Sequence, residues 1–279
     1  NKRRESLLSN KDKAVLSKQL VTLKDDVPVK YDPSEFLIKD INKNKLYEFL
    51  REMEFNRLLS QAISFYGELD SLDFKAQSLS KKISKINTKS YKSILKEKDF
   101  NELIKDLNEK SVIAVDTETT SLNPQEASLV GISISYAANI AYYIPLGHKN
   151  VKGLKKELVL KKLKTVLEDP SIKKVGQNIK YDFIIFKNNG VTLNPIDDTM
   201  LLSYTLDAGN NRHNMDTLAE LHLGHKTIAY KDLVGTGKKQ LNFSDVDIKA
   251  ATEYAAEDAD VTLRLYEILS ERVAEEKLE

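Results

Sequence analysis

Residues 112–122 read V-I-A-V-D-T-E-T-T-S-L, an apolar run that ends in two carboxylates one residue apart. The β-branched residues of this run predict a buried strand. Because residues two apart in a strand point to the same face, Asp116 and Glu118 should project together at its carboxyl end. Open α/β sheets bind ligands at this end. Taken alone, the pair is also typical of an ordinary strand end in water.

The composition is that of a globular protein without disulfides. The chain has 279 residues, of which 41% are hydrophobic and 30% charged, and its formal net charge is +1. It contains no Cys, which excludes disulfides, zinc–thiolate sites and thiol nucleophiles. No apolar stretch is long enough to span a membrane, and no export signal is recognisable. We expect a cytoplasmic protein and, since no Met precedes Asn1, a fragment of a longer chain.

The first third of the chain divides into a helical part and a basic part. Residues 1–72 show helix-spaced apolar positions and two prolines, which predicts a small helical segment. Residues 74–96 hold seven Lys and no acid, with frequent Ser. We interpret residues 73–91 as a basic flexible linker. The alternative is a basic arm that contacts a phosphate backbone.

From residue 92 onward the pattern predicts alternating strands and helices. We expect a helix near residues 99–109, followed by three strands that begin with V-I-A-V-D. A tight turn is expected near residues 137–139, between the second and third of these strands. Helices and short strands then alternate, and a long helix covers roughly residues 247–275. This order predicts an α/β domain with a mixed sheet over residues 92–279.

Two further motifs place carboxylates on predicted helices. In V-G-Q-N-I-K-Y-D, Asn178 and Asp182 are four residues apart, and a helix that ends at Gly190 would put them on one face. In E-Y-A-A-E-D-A-D-V-T-L, Tyr254 and Asp258 have the same spacing. Each motif alone is also typical of a helix with a solvated acidic side.

The long C-terminal helix is expected to bury a surface of small residues and to expose an acidic one. Ala255, Ala256 and Ala259 would allow another group to approach the helix backbone closely. We expect Glu257 and Asp260 to lie on the solvated acidic face.

The acids of the three motifs form one candidate metal site, composed of Asp116, Glu118, Asp182 and Asp258. Carboxylate ligands favour Mg²⁺ or Mn²⁺ over zinc. The His residues show no metal-site spacing, and we expect His222 and His225 to be solvated or to cap helices. Buried carboxylates repel one another unless cations bind. Two such ions about 4 Å apart can activate a water and stabilise a leaving oxygen in phosphodiester cleavage.

The motifs D-T-E, N-x-x-x-D and Y-x-x-x-D resemble, in this order and spacing, those of the DEDD 3′–5′ exonucleases with Tyr in the third motif. The resemblance to the bacterial DNA polymerase I family is more specific and runs from about residue 92 to the C-terminus. It is carried by A-V-D-T-E-T-T-S-L, V-G-Q-N-I-K-Y-D, D-T-M-L-L-S-Y, R-H-N-M-D-T-L-A and Y-A-A-E-D-A-D-V-T-L. Residues 1–72 resemble the tail of that family's 5′ nuclease domain. The implied fold is a ribonuclease H-like mixed β-sheet flanked by helices and preceded by a small helical segment.

The resemblance also implies a role for each motif residue. Two Mg²⁺ or Mn²⁺ ions would be held by Asp116, Glu118, Asp182 and Asp258, with Asp116 bridging them. Tyr254, helped by Glu118, would orient the attacking water. A single-stranded or frayed DNA 3′ end would be contacted by Leu122, Gln177, Asn178, Arg212 and Tyr230. Leu122 would wedge against the terminal bases, and Tyr230 stands where the family usually has Phe.

The implied function is proofreading, with release of nucleoside monophosphates from DNA 3′ ends in the bacterial nucleoid. The implied partners are a DNA 3′ end and a polymerase domain of the parent chain, with no membrane. We expect no 5′ nuclease activity from these residues, since they lack the catalytic carboxylates of the 5′ nuclease. We also expect no nucleotide addition, since they include no polymerase domain. Two alternatives stay open, an RNase D-like RNA exonuclease of the same fold and a catalytically silent scaffold. The presence of all the motif acids favours an active site.

Overall fold

The structure, a computed structural model, describes residues 2–28, 32–37, 40–53, 55–67, 85–237 and 240–278. The chain divides into two compact units, Asn1–Ser78 and Leu79–Glu279. Within the described residues, no helix has the length and apolar character needed to cross a membrane.

The first unit is helical, as its apolar spacing predicts. Its helices in the described ranges are α1 (Lys2–Ser9), α2 (Lys11–Val21), α3 (Lys43–Glu52) and α4 (Asn56–Tyr66), with a 3₁₀ turn at Pro33–Phe36. Helices α1 and α2 bury none of their residues, whereas α3 packs against α4 and buries Tyr47 and Leu50. The Tyr47 hydroxyl donates a hydrogen bond of 2.7 Å to the carbonyl of Gly67, which ties the end of α4 to α3.

The second unit is built on a six-stranded sheet. Its strands are β1 (Lys92–Ser93), β2 (Val112–Thr119), β3 (Leu129–Ala137), β4 (Ile140–Pro145), β5 (Lys173–Gly176) and β6 (Ile196–Asp198). Their order is β1-β4-β3-β2-β5-β6. The pairs β2–β3 and β3–β4 are antiparallel, and the others are parallel. The prediction of a mixed sheet is therefore confirmed, with β2 at its centre.

Helices cover both faces of this sheet. They are α5 (Glu97–Leu107), α6 (Lys156–Leu167), α7 (Lys180–Asn188), α8 (Thr199–Asp207), α9 (Met215–Leu218), α10 (Tyr230–Val234) and α11 (Ile248–Glu275). On one face, Phe100, Leu163 and Phe186 from α5, α6 and α7 form a core with apolar residues of β2, β3 and β4. On the other face, α11 packs against β2, β3 and β4. Because β2 is covered on both sides, its apolar run is continuous rather than alternating.

The prediction of a solvated acidic face on α11 is wrong. Glu257 is 1% exposed and Asp260 is 0% exposed. Asp260 accepts hydrogen bonds from the Tyr91 hydroxyl at 2.8 Å and the Asn139 backbone N–H at 3.0 Å, and it pairs with Arg264 at 3.1 Å. Helical periodicity does not reveal such burial, because two of these partners come from distant parts of the chain.

The described end of the predicted linker, residues 85–91, belongs to the second unit and is packed against its β3–β4 turn. The Asn87 backbone N–H donates to the Asn139 side chain at 2.8 Å, and the Ser90 hydroxyl donates to the Asn139 carbonyl at 2.7 Å. Tyr91 is buried. Residues 85–91 therefore differ from the flexible linker that their composition predicts, because the β3–β4 turn binds them. Residues 73–84 of the predicted linker lie outside the described residues.

Candidate active site

Strand β2 places two acids side by side on its carboxyl-terminal half. Asp116 and Glu118 lie within β2, which continues to Thr119. On the neighbouring strand β3, Asp116 faces Ser133 and Glu118 faces Gly131. Both partners are small, and the space above Gly131 is taken by the ring of Tyr143. The two carboxylates point to one face, as the period of two requires.

A third carboxylate reaches the same place from α11. Ligand oxygens of Asp116, Glu118 and Asp258 all lie within 4.8 Å of one another. Glu118 and Asp258 are buried, and Asp258 Oδ1 has no hydrogen-bond partner among the described residues. A buried carboxylate oxygen without a donor is costly unless a cation binds it. The group therefore fits a hard divalent ion with oxygen ligands.

The fourth predicted ligand, Asp182, lines the same cleft but lies outside this group of three. Its Oδ1 accepts hydrogen bonds from the backbone N–H of Thr117 at 2.9 Å and from the Thr117 hydroxyl. Thr117 stands between Asp116 and Glu118 in β2. The strand that carries two of the acids therefore also fixes the position of the buried Asp182 carboxylate on α7.

Burial raises the pKa of every acid in the site, and repulsion adds to this effect for Glu118, Asp182 and Asp258. Burial raises the pKa of Asp116 to about 6. Burial, together with the charge of Asp116, raises the pKa values of Glu118, Asp182 and Asp258 well above their usual range. Divalent cations have the opposite effect, because they favour the charged carboxylates.

Tyr254 lies on α11 one turn before Asp258 and lines the cleft. Burial, reinforced by the carboxylates of Asp258 and Glu118, raises the pKa of Tyr254 far above its usual value. Its hydroxyl therefore stays protonated. The rings of Tyr230 and Phe243 pack against it, with centroids 5.9 Å and 6.1 Å away.

The cleft has a volume of about 920 Å³. Of the predicted nucleic-acid contacts, it brings together Leu122, Gln177, Asn178 and Tyr230. Leu122 is 96% exposed, so its apolar side chain stands free in water at the end of the turn that follows β2. Arg212 is exposed and is not among the residues that line the cleft.

The prediction that Asn178 and Asp182 share a helical face is wrong. Helix α7 begins at Lys180, and Asn178 has a φ of 61°, which lies in the left-handed region. Asn tolerates this conformation better than most residues. The Asn178 backbone N–H donates to Asp198 Oδ1 at 2.9 Å, and the same oxygen caps α8 at Met200.

The Gln177 side chain lines the cleft and also forms hydrogen bonds to two other residues of the chain. Its Nε2 donates to the carbonyl of His213 at 2.7 Å, and its Oε1 accepts from the Thr199 hydroxyl. The His213 ring in turn bonds to Ser203, at 2.9 Å. These contacts fix the segment next to Arg212, which immediately precedes His213.

Among the cleft residues that the sequence prediction missed are Tyr181, Asn242 and Phe243. The Tyr181 hydroxyl donates to the carbonyl of Ser121, and the Asn242 amide donates to that of Thr120 at 3.2 Å. They hold the turn that carries Leu122. Tyr181 is next to Asp182 in the second motif, which is a usable signal. Asn242 and Phe243 come from a segment with no sequence pattern of its own.

The central strand of a mixed sheet places acids at a cleft, next to exposed apolar and aromatic side chains. This is the architecture of a metal-dependent nuclease. The model of the 3′–5′ exonuclease family matches residues 91–274. The chain belongs to this family, and it carries a 3′–5′ exonuclease domain. Membership of the 3′–5′ exonuclease family implies the use of a divalent metal ion. The carboxylate oxygens of Asp116, Glu118 and Asp258 are suitable ligands for such an ion.

Curated relatives show that the similarity extends beyond residues 91–274 to nearly the whole chain. The DNA polymerase I of Pseudomonas aeruginosa is 37% identical over 96% of this chain and 29% of its own length. The DNA polymerase I of Rhizobium leguminosarum is 35% identical over 98% of this chain and 35% of its own length. The chain thus spans about a third of the length of these curated relatives.

Among solved structures, Trypanosoma brucei RNase D matches with a TM-score of 0.54 at 18% identity, over 64% of each chain. At this identity the likeness concerns the fold alone. It agrees with the ribonuclease H-like architecture expected from the motifs.

Proposed function

We propose that this chain is the proofreading part of a DNA polymerase I, and that it releases nucleoside monophosphates from DNA 3′ ends. The observation that carries the proposal is the convergence of the acids of β2, α7 and α11 on one cleft of a 3′–5′ exonuclease domain. The similarity to DNA polymerase I over nearly the whole chain supports DNA as the substrate.

Two Mg²⁺ or Mn²⁺ ions are the proposed cofactors, with Asp116, Glu118, Asp182 and Asp258 as their ligands. Asp116 would have the bridging role that the family resemblance implies, and it is one of the three acids whose ligand oxygens lie within 4.8 Å of one another. When bound, such ions activate a water and stabilise the leaving oxygen. The orphaned Asp258 Oδ1 supports this assignment.

Tyr254 and Glu118 are the proposed orienting residues for the attacking water. The Tyr254 hydroxyl keeps its proton because burial raises its pKa. It can therefore both donate and accept a hydrogen bond, whereas an ionised Glu118 can only accept. Together they would set the direction of the water's lone pair toward the terminal phosphate.

Binding of the 3′ end is assigned to Leu122, Gln177, Asn178, Arg212 and Tyr230. An exposed Leu122 and a half-exposed Tyr230 offer apolar and aromatic surface that accepts any base. A mismatched terminus costs less to unpair than a matched one, so it would reach a single-strand cleft more often. This preference is the physical basis of the proposed proofreading.

The polymerase domain of the parent chain is the proposed partner that delivers the primer end. The relatives of this chain are about three times longer and carry the name of a polymerase. Residues 1–72 would then be the tail of a 5′ nuclease domain, residues 73–91 a connection, and residues 92–279 the exonuclease domain.

The proposal is tested by a gel assay on single-stranded DNA that carries a 5′ label, with Mg²⁺ or with EDTA. We expect a ladder that shortens from the 3′ end and requires the metal. Asp116→Ala should remove cleavage, since it deletes the proposed bridging ligand.

RNA of the same sequence distinguishes the alternative function. Faster digestion of RNA than of DNA would contradict the proposal and favour an RNase D-like enzyme. Absence of cleavage together with absence of Mn²⁺ binding by calorimetry would favour a silent scaffold.

A further inference from the structure

The buried Glu257 uses both of its carboxylate oxygens to hold one segment of the chain. Its Oε1 accepts a hydrogen bond from His225 Nε2 at 2.8 Å. Its Oε2 accepts one from the backbone N–H of Ile228 at 2.6 Å. A buried carboxylate needs such donors, so α11 and the segment at residues 224–229 are tied together by two charge-assisted bonds.

The segment held in this way leads directly into the cleft. It starts at Gly224, whose φ of 59° turns the chain, and it is held a second time by the Thr227 hydroxyl, which donates to Asp216 at 2.6 Å. Its last residue, Ala229, is the N-cap of α10. The first residue of α10 is Tyr230, only two residues beyond the Ile228 amide that Glu257 holds.

Tyr230 is placed as a platform rather than as part of the core. It is 41% exposed and lines the cleft. One face of its ring is stacked on Phe243, with an angle of 6° between the planes, and its centroid is 5.9 Å from that of Tyr254. The remaining ring surface is available for a base.

Helix α11 carries Glu257 as well as two members of the site, Tyr254 and Asp258. A contact from Glu257 to the Tyr230 segment therefore fixes the distance between the base platform and the acid cluster. The sequence gives no hint of this link, since Glu257 looks like one more surface acid among several.

We infer that Glu257 and His225 form a positioning latch, which holds Tyr230 at a fixed place relative to the acid cluster so that the 3′-terminal base stacks on it. This inference rests on the proposed function and extends it to residues outside the cleft. Neither residue touches substrate. Loss of the latch would leave Tyr230 present but misplaced, which weakens strand binding more than the chemical step.

Steady-state digestion of a labelled single-stranded oligonucleotide provides the first test. In Glu257→Ala we expect KM to rise roughly tenfold, the size of a weakened base–aromatic stack, with kcat changed by less than about twofold. Glu257→Gln keeps an oxygen for the Ile228 amide and an NH₂ for the other His225 tautomer, so it should restore most of the affinity. A fall in kcat with unchanged KM would overturn the inference, because Glu257 would then act through its neighbour Asp258.

A double-mutant cycle shows whether the latch acts through Tyr230. In a Tyr230→Ala background, Glu257→Ala should raise KM by less than about twofold, because the platform that it positions is already gone. Full additivity of the two effects would overturn the inference. His225→Ala removes one of the two bonds and serves as a milder variant if Glu257→Ala does not fold.

Asp260→Asn is the matched control, since it alters another buried acid of α11. Asp260 bonds to Tyr91, Asn139 and Arg264, which lie outside the segment at residues 224–229. We expect it to lower the melting temperature and to leave KM within about twofold of the parent value. If it raised KM as much as Glu257→Ala does, general loosening of α11 would explain both and the latch would be wrong.

Binding without turnover separates this inference from the proposed function. Fluorescence anisotropy of a labelled DNA oligonucleotide in EDTA reports affinity whether or not the chain cleaves. Weaker binding by Glu257→Ala but not by Glu257→Gln supports the latch. Equal binding by the parent and both variants overturns it. Failure of the parent to cleave DNA, by contrast, overturns the proposed function.

Discussion

Thr117 shows how single residues hold the acid cluster together. It stands between Asp116 and Glu118, and both its backbone N–H and its hydroxyl donate to Asp182. Three acids are thus placed by one short piece of β2, two as members of the strand and one through hydrogen bonds. The same contacts favour the charged form of Asp182, against the burial that raises its pKa.

Asp182→Ala should lower cleavage of single-stranded DNA by about 100-fold or more, because it removes a proposed metal ligand worth several kcal/mol in the transition state. The circular dichroism spectrum should stay that of the parent. Asp99→Ala, which deletes an exposed acid in the first turn of α5, is the control and should cleave normally. A rate near that of the parent in Asp182→Ala would show that the assignment of this residue is wrong.

At the scale of elements, strand β3 carries a glycine, Gly131, at the position that faces Glu118 of the site. The buried ring of Tyr143 from β4 lies over this glycine, so that a Cβ at this position would overlap the ring. The Tyr143 hydroxyl bonds to His148 at 2.8 Å. The ring therefore has a fixed position, and only glycine leaves space for it beside the acid.

Gly131→Ala should destabilise the protein by roughly 1–3 kcal/mol, the usual cost of forcing extra volume into a packed core. Chemical denaturation measures this change in the free energy of unfolding. Tyr143→Leu removes the part of the ring that overlaps the new methyl group. In the Tyr143→Leu background, Gly131→Ala should therefore lower the free energy of unfolding by less than it does in the parent. An equal decrease in the two backgrounds would contradict the packing argument.

Helix α11 agrees with its sequence pattern in some features and differs from it in the burial of two of its acids. Its length and its small residues agree with the sequence pattern, and the Asp247 side chain caps its first turn. The two acids, Glu257 and Asp260, differ from that pattern, since both are buried and bonded to other parts of the chain.

At the scale of the whole molecule, the acid cluster makes stability depend on pH and on metal. Burial raises the pKa of Asp116 to about 6, and burial together with the charge of Asp116 raises those of Glu118, Asp182 and Asp258 well above their usual range. Between the unfolded and the folded pKa of each acid, the folded chain binds more protons than the unfolded chain. Without metal, the free energy of unfolding contributed by these acids must therefore fall as the pH rises through this window.

Thermal melts in EDTA should show a lower melting temperature at about pH 8 than at about pH 5, because the contribution of the protonated acids to stability is lost as the pH rises. Mn²⁺ binds the ionised acids of the folded state, so its stabilising effect should be larger at the higher pH. The variant with Glu118→Gln and Asp258→Asn should weaken both effects, because two of the four acids no longer titrate while Asp116 and Asp182 remain. A melting temperature that Mn²⁺ leaves unchanged at every pH would contradict a metal site in the cluster.

Every strand except β1, most helices and the set of acids were open to prediction because each depends on local pattern. V-I-A-V-D-T-E encodes a strand and two carboxylates that share its face, wherever that strand lies in the sheet. The motif spacing also links Tyr254 to Asp258 within one helical turn. These features need only the period of the backbone and the chemistry of the side chains.

The tertiary structure decided which polar residues are buried and what they hold. The left-handed Asn178, the bonded Gln177 amide and the packed residues 85–91 all depend on partners far away in the sequence. Glu257 makes the clearest case, because its donors are about thirty residues away. Local pattern determines the face on which a side chain stands, whereas only the packing of distant segments determines whether water or protein lies against that face.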